Sequence, residues 1–397
     1  MGRIPQYITP ESSSGIKLTA AVSYYLTMMS LGFLGSIYGV ILPYLIEKTN
    51  SGTSEISYLF LFQGSGFILA SLLFGRFFDT VPGNRLLAFI VFGLVGCMYF
   101  IDKIDRIWMI CLLSFVFGIC VCMINIGVNT LIERLYGSKM GPYLNVVHVF
   151  YAIGCIVTPL LVANAFQSGD ELGVALRILL VIMTFIGCFV FLTPGPEPIT
   201  AERMKQKKEK NNFSTVFPAV LLGMFLFFSL GGQTTCYNWY PSSVLHLFKT
   251  TEAEAARFPS IFWIGILLGR ITSSKMVRNS NVFKYMLYSM SGCVLFSAAL
   301  MFWKSIYLSA VLFFLVGFGI GPIYANAFVY FHNKSEMSGQ MNGVIFAVYQ
   351  LGIMFFPWFT GQLIEIAGYG IPVVIITCAF LCSIPFLLLL EFKIKKA

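Results

Sequence analysis

Charge is scarce in this chain. Only 11% of its 397 residues are Asp, Glu, Lys or Arg, where a soluble domain carries about a quarter. So few water-facing side chains cannot cover the rest, which excludes an ordinary soluble fold. Histidine is rarer still, with three in all. No HExxH or GxSxG run accompanies them, so a membrane-embedded enzyme has little support, and no catalytic residue, cofactor or metal is expected. The chain also lacks a GxxxxGK[ST] phosphate loop, which argues against an ATP-driven pump. Its ten cysteines form no CxxC pair. Most of them, such as Cys120, Cys155 and Cys382, sit in apolar runs and read as small hydrophobes rather than disulfide partners. Met1 to Gly15 is polar and has no apolar core of a cleavable signal, so the first hydrophobic run is expected to stay in the mature protein.

What is present is apolar: 57% hydrophobic residues, 40 of them Phe, with a mean hydropathy of +0.82. A bilayer core needs about 20 apolar residues per helix. Runs of that size fall at 18–46, 56–79, 85–101, 106–133, 141–167 and 173–193, then at 214–246, 257–275, 282–303, 305–332, 338–365 and 370–391. Lipid cannot satisfy an open sheet edge and the runs are too long for barrel strands, so each is a helix. The expected fold is an all-α membrane protein: twelve transmembrane helices in two pseudo-symmetric six-helix bundles, 18–193 and 214–391. A polar segment 1–17, a linker 194–213 and a tail 392–397 flank them. The linker PGPEPITAERMKQKKEKNNF stops the sixth run with three prolines and continues as a charge run. With the N-terminus cytoplasmic, all but seven of the 26 Lys and Arg fall on the cytoplasmic side, the exceptions being Lys48, Lys103, Arg106, Arg177, Lys249, Arg257 and Lys304. That satisfies the positive-inside rule and places both termini in the cytoplasm of a plasma or cytoplasmic membrane. The same sorting accounts for the net charge of +9 without nucleic acid, for which no groove-reading or base-stacking motif exists.

The halves repeat each other. Gly75-Arg76 ends the second run and Gly269-Arg270 ends the eighth. Gly141, Gly154 and Pro159 in the fifth run return as Gly339, Gly352 and Pro357 in the eleventh. Two repeats joined by a linker are the sequence form of a secondary transporter, whose solute site is expected near the bilayer midplane.

The most specific motif is GRFFDTVPGNR, in which Gly75, Asp79, Gly83 and Arg85 keep the pattern GxxxDxxxGxR. The pattern, its place after the second run and the 6+6 layout resemble the major facilitator superfamily over nearly the whole chain. The resemblance implies a cytoplasmic latch in which Gly75, Asp79, Gly83 and Arg85 act as gating residues. Glu133, Arg134 and Arg270 join them as gate or interface charges. In the second copy Ser273 stands where the acid would be. Within the superfamily, FGICVCMINIGVNTLIERLYG followed by GPYLNVVHVFYAIGCIVTPLL resembles the branch that contains fucose permease and the sodium-dependent glucose transporter. Members of that branch place a titratable carboxylate where this chain has Asn125, which cannot take up a proton. The proton-coupled mechanism is therefore not carried over.

Amides pair with hydroxyls as donor and acceptor at once, and aromatic rings pack on the apolar face of a sugar. The substrate-binding candidates in the first half are Gln63, Asn125, Asn129, Asn145 and His148. In the second half they are Gln233, Asn238, Trp239, Tyr324, Asn326, Asn342, Tyr349 and Gln350. Gly231, Gly232 and Pro241 are expected to break the seventh helix beside Gln233 and Asn238. Each amide also has a plainer role, a hydrogen bond to a neighbouring helix, and His148 can donate to a carbonyl instead of carrying a proton. Trp239 fits the interfacial belt as well as a site. The many phenylalanines read as packing or lipid-facing surface. With no fixed charge expected within the spans, the reading is a monomeric facilitator of a small polar solute, most simply a sugar, working by alternating access. Sodium or proton symport and a non-transporting solute receptor are the alternatives.

Overall fold

The computed structural model of the protein describes residues 7–8, 12–74, 77–169, 172–197, 216–276, 281–302, 305–334 and 339–396. It is helical almost throughout. Twelve spans run in chain order: Ser14–Gly35 continued by Ile37–Thr49, Thr53–Phe74, Gly83–Ile101, Ile107–Tyr136, Gly141–Gln167, Leu172–Leu192, Val216–Leu247, Phe258–Met276, Val282–Leu300, Ile306–Ile320 continued by Ile323–His332, Gly339–Ala367 and Ile371–Lys396. Eleven of these are long and apolar enough to cross a membrane. The eighth, Phe258–Met276, carries Arg270, Lys275 and three serines and is the least apolar. Large side chains such as Phe89, Phe185, Leu192 and Phe302 are more than 70% exposed. Apolar surface of that kind suits lipid and not water.

Three features depart from the reading of the sequence. Among the described residues the only strands are Tyr7–Ile8 and Gly195–Pro196, a parallel pair that ties the N-terminal segment to the start of the linker. The rest of the linker lies outside the described residues. Span ten is interrupted at Gly321-Pro322, because proline has no N–H for the carbonyl four residues back and its ring crowds that turn. The last helix continues to Lys396 instead of ending at 391. The Glu391–Lys395 ion pair at 2.9 Å and a hydrogen bond from Tyr330 to Glu391 support that final turn. Entry to span eight is set by a capping box, in which the Thr251 hydroxyl accepts from the Glu254 N–H at 3.2 Å. The Glu254 carboxylate accepts from the Thr250 hydroxyl and the Thr251 N–H, and these bonds hold its pKa below the usual carboxylate range.

By contacts the chain forms two compact units, Met1–Ile37 with Ser65–Lys208, and Tyr38–Gly64 with Glu209–Ala397. In the first unit, spans one and five cross at Gly32 and Gly154, where a Cβ on either residue would collide with the backbone of the other helix. In the second, span eleven crosses span seven at Gly352, which lies directly on the Phe227 carbonyl. Glycine lets two membrane helices approach to backbone contact, which is why Gly154 recurs as Gly352. Around that second crossing Phe356, Ile375 and Ala379 form a buried cluster, with Phe227 and Phe228 packed against it. The hairpin 38–64 also packs within the second unit, with the Phe60 and Trp239 rings 6.2 Å apart and Gly64 against Met354.

Candidate functional site

In the first unit, helical spacing sets Asn125 above Asn129 on one face of span four. Each amide nitrogen donates to the carbonyl four residues back, Asn125 to Val121 at 2.8 Å and Asn129 to Asn125 at 2.7 Å. Each amide still has its oxygen as an acceptor and a second N–H as a donor beyond that bond. Asn125 is half-buried and Asn129 exposed. Asn145, exposed, and His148, half-buried, share a face of span five three residues apart.

The loop after span two is fixed by packing. Phe78 is 1% exposed and its ring fills the space that a side chain on Gly127 of span four would need; Gly83 rests on Leu131 in the same way. Arg85 and Glu133 are exposed and Arg134 is half-buried. Gly75 and the side chain of Asp79 lie outside the described residues. The motif also contains a residue that pattern reading passed over, Asn84. Its Oδ1 accepts from the Tyr24 hydroxyl at 2.6 Å and its Nδ2 donates to the Thr193 carbonyl at 3.0 Å. This buried amide joins spans one, three and six, and its neighbours Gly83 and Arg85 are positioned by that join.

In the second unit the expected break in span seven is absent. Val216–Leu247 is continuous through Pro241, and Gly231 and Gly232 instead make room for the rings of Phe356 and Phe380. The glycines here answer a packing need. Asn238 is buried and donates to the Thr234 carbonyl at 3.0 Å. Trp239 is fully buried, its Nε1–H donating to the Pro357 carbonyl at 2.7 Å, which places it away from any interfacial belt. Gln63 and Gln233 are half-buried, and Gln350 is buried.

The break in span ten is where polar and aromatic groups gather. Arg270 donates through Nε to the Gly321 carbonyl at 3.0 Å, and Asn326 donates to the Ser273 hydroxyl at 2.9 Å. Span eight runs on to Met276, with Arg270 half-buried in its C-terminal part. The Arg270 bond satisfies the Gly321 carbonyl, which lies at the break in span ten. Beyond Gly321, four rings close a quadrilateral between spans ten and eleven: Tyr324–Phe328 at 5.0 Å, Phe328–Phe346 at 5.9 Å, Phe346–Tyr349 at 5.2 Å and Tyr349–Tyr324 at 5.8 Å between centroids. Phe346 is 40% exposed. Half-buried Asn342 precedes it by one turn on the same helix face. Two of the four rings, Tyr324 and Tyr349, were expected from the sequence. Phe328 and Phe346 were not, although their spacings of four and three from those tyrosines are the helical signal that finds them.

The sequence profile of the Major Facilitator Superfamily matches residues 24–357. The chain is 25% identical to "Sodium-dependent glucose transporter 1" of Homo sapiens over 276 residues, which cover 60% of this chain and 52% of that protein, so it spans about half the length of that relative. It is 23% identical to "Glucose/mannose transporter GlcP" of Bacillus subtilis (strain 168) over 321 residues, 76% of each. Among solved structures it is similar to a bacterial homolog of the human lysosomal transporter Spinster in an inward-facing, unoccupied conformation. The TM-score there is 0.75 at 12% identity, covering 97% of this chain and 99% of that one.

Proposed function

The chain belongs to the Major Facilitator Superfamily, and on that premise we propose that it carries a neutral sugar across the membrane as a facilitator, by alternating access. That it is a multi-pass membrane transporter and not an enzyme follows from the family; the solute and the absence of coupling are our reading. The observation that carries the reading is the ring quadrilateral of Tyr324, Phe328, Phe346 and Tyr349 with Asn342 beside it. A partly exposed aromatic wall next to an amide offers both faces of a pyranose a partner: rings for its C–H face and an amide for its hydroxyls. Asn125 and Asn129 each have an acceptor oxygen and a second N–H beyond their helix bond, a pairing that suits sugar hydroxyls in the first unit. The names of the glucose-transporting relatives point the same way.

The uncoupled mechanism rests on Asn125, an amide that cannot titrate where the family branch places a carboxylate. Sodium symport is the second reading, favoured by the human relative's name. Gating is assigned to the loop that Phe78 anchors on Gly127, with Asp79 and Arg85 biasing one access state and Glu133, Arg134 and Arg270 as supporting charges.

Uptake of radiolabelled glucose into proteoliposomes tests this directly. Saturable entry without a sodium or pH gradient is expected, and Phe346→Ala should raise the half-saturation concentration about tenfold, the effect of removing one stacking ring worth about 1.4 kcal/mol. Entry only under an imposed sodium gradient would replace the facilitator with a symporter. No sugar entry by folded protein would remove the sugar.

A further inference from the structure

On the linker side of the second unit lie the starts of spans seven and nine and the ends of spans ten and twelve, and lysines gather where these four meet. The Phe283 ring, in the first turn of span nine, lies 6.2 Å from the Tyr330 ring of span ten. The Tyr330 hydroxyl donates to Glu391 of span twelve, and Lys393, two residues on, sits over the Phe217 ring of span seven at 5.4 Å. Around this chain of contacts Lys284, Lys334, Lys393 and Lys395 are all exposed. Among the described residues of these turns the one carboxylate is Glu391, which Tyr330 and Lys395 already engage, the latter at 2.9 Å. Four lysines against one acid leave a net charge of +3. Helix stability accounts for part of the arrangement, since the negative end of a helix dipole welcomes the cations at the ends of spans ten and twelve. Lys284 stands at the opposite, positive end of span nine, where a cation is disfavoured and adds to the potential that attracts an anion. Membrane insertion asks for basic residues on one side, but not for their convergence on one set of rings.

We propose that this patch binds the headgroup of an anionic phospholipid that carries phosphate monoesters, with Lys284, Lys334 and Lys393 as the phosphate-binding residues. The bilayer itself supplies the occupant. In the turn before Lys393, Leu388, Leu389 and Phe392 are each about half exposed, as is Phe217 beside them, and Leu389 and Lys393 share a helix face, four residues apart. Acyl chains lying on that apolar surface hold a headgroup at the level of the lysines. A lysine suits the boundary, because its methylene stem packs on a ring while the ammonium reaches the headgroup plane. Charge selects the headgroup. A phosphate monoester brings about 1.5 to 2 negative charges, so two of them on one headgroup match three lysines presented by three different helix ends, whereas a headgroup with a single net charge neutralises one. Clustered lysines at the end of a membrane helix are suited to lipids of this kind. The site does not depend on which solute is carried.

Binding of phosphatidylinositol bisphosphate with a fluorescent acyl chain to the full-length protein in dodecyl maltoside, read by anisotropy, is the test. Saturable binding is expected, weakened about fivefold by each of Lys284→Gln, Lys334→Gln and Lys393→Gln and about a hundredfold by the three together, the size of effect one lysine exerts near an anionic membrane surface. Lys393→Arg keeps the charge and should keep the affinity. Lys103→Gln removes an exposed cation from the turn after span three, on the opposite side, and should bind as wild type does. A triple variant that binds as tightly as wild type would overturn the site. Unlabelled phosphatidylserine competing as well as unlabelled phosphatidylinositol bisphosphate would overturn the phosphate-monoester headgroup, and soluble inositol trisphosphate competing as well as the lipid would overturn the bilayer as the source. Should the triple variant aggregate on size exclusion, the single substitutions decide: weakening by each supports the proposal, and wild-type affinity in all three refutes it.

Discussion

Gly154→Leu and Gly352→Leu are each expected to prevent recovery of folded protein, with Gly154→Ala and Gly352→Ala already destabilised. The cause is steric and falls on backbone. A Cβ on Gly154 would enter the Met29 carbonyl and the backbone of Gly32, and one on Gly352 would enter the Phe227 carbonyl. A flexible side chain can turn away from such an intrusion; a helix backbone can only shift as a whole. Overpacking in a tight core costs about 1–3 kcal/mol, and a clash with helix backbone belongs at the upper end for alanine and beyond it for leucine. Both crossings lie in the most densely packed parts of their units, so the shift would spread along spans one and five or seven and eleven. Gly96→Leu in span three is the control. A Cβ there meets no atom within 4 Å, and leucine improves helix propensity. Fluorescence-detected size exclusion followed by thermal unfolding in detergent reads all five variants. Leucine at 154 or 352 as well tolerated as leucine at 96 would mean that the repeat glycines do not set the crossings.

These same glycines show what a sequence gives away. Gly154 and Gly352 stood out by recurring at one offset in two halves, and their structural role is the same in each unit, because an internal repeat preserves the contacts that each copy makes with itself. The spans were legible for a simpler reason: hydropathy over about 20 residues is a property of composition. Features that depend on what lies across from a residue were not. Phe328 and Phe346 look like any of the 40 phenylalanines until the rings of Tyr324 and Tyr349 are beside them. The Gly321-Pro322 break hides inside an apolar run, while the glycines and proline of span seven, which advertise a break, are absorbed by Phe356, Phe380 and a continuous helix. Local propensity could not separate the two cases, since tertiary packing decides whether a proline interrupts a membrane helix. Arg270 was legible as a charge but not in its setting, which the Gly321 carbonyl supplies. The attachment of 38–64 to spans seven and eleven includes a hydrogen bond from Ser54 to Gln362, about 300 residues away in sequence, and no periodicity encodes a partner at that distance.

Gly127→Val is expected to slow transport sharply while leaving the fold intact, because one ring stands in the way of the new side chain. Phe78 is buried in the turn Phe77–Thr80, and its ring tip occupies the space beside Gly127. The neighbouring Asp79 and, beyond Gly83, Arg85 are the proposed gate. Valine at 127 forces Phe78 out and carries the loop with it, at a cost of about 1–3 kcal/mol to the docked arrangement, which is a factor of roughly 5–150 in any equilibrium that needs it. Span four itself gains a β-branched residue on a continuous helix and should still fold, so melting temperature should change less than transport rate. The discriminating measurement is the double variant. Phe78→Ala empties the space that valine needs, so if steric expulsion of the ring is what slows Gly127→Val, then Gly127→Val with Phe78→Ala should be faster than Gly127→Val alone. Initial uptake rates of the three variants at matched protein density decide it. A double variant slower than either single one would show that Gly127 acts on transport by a route other than Phe78, and would detach the motif loop from span four in the gating scheme.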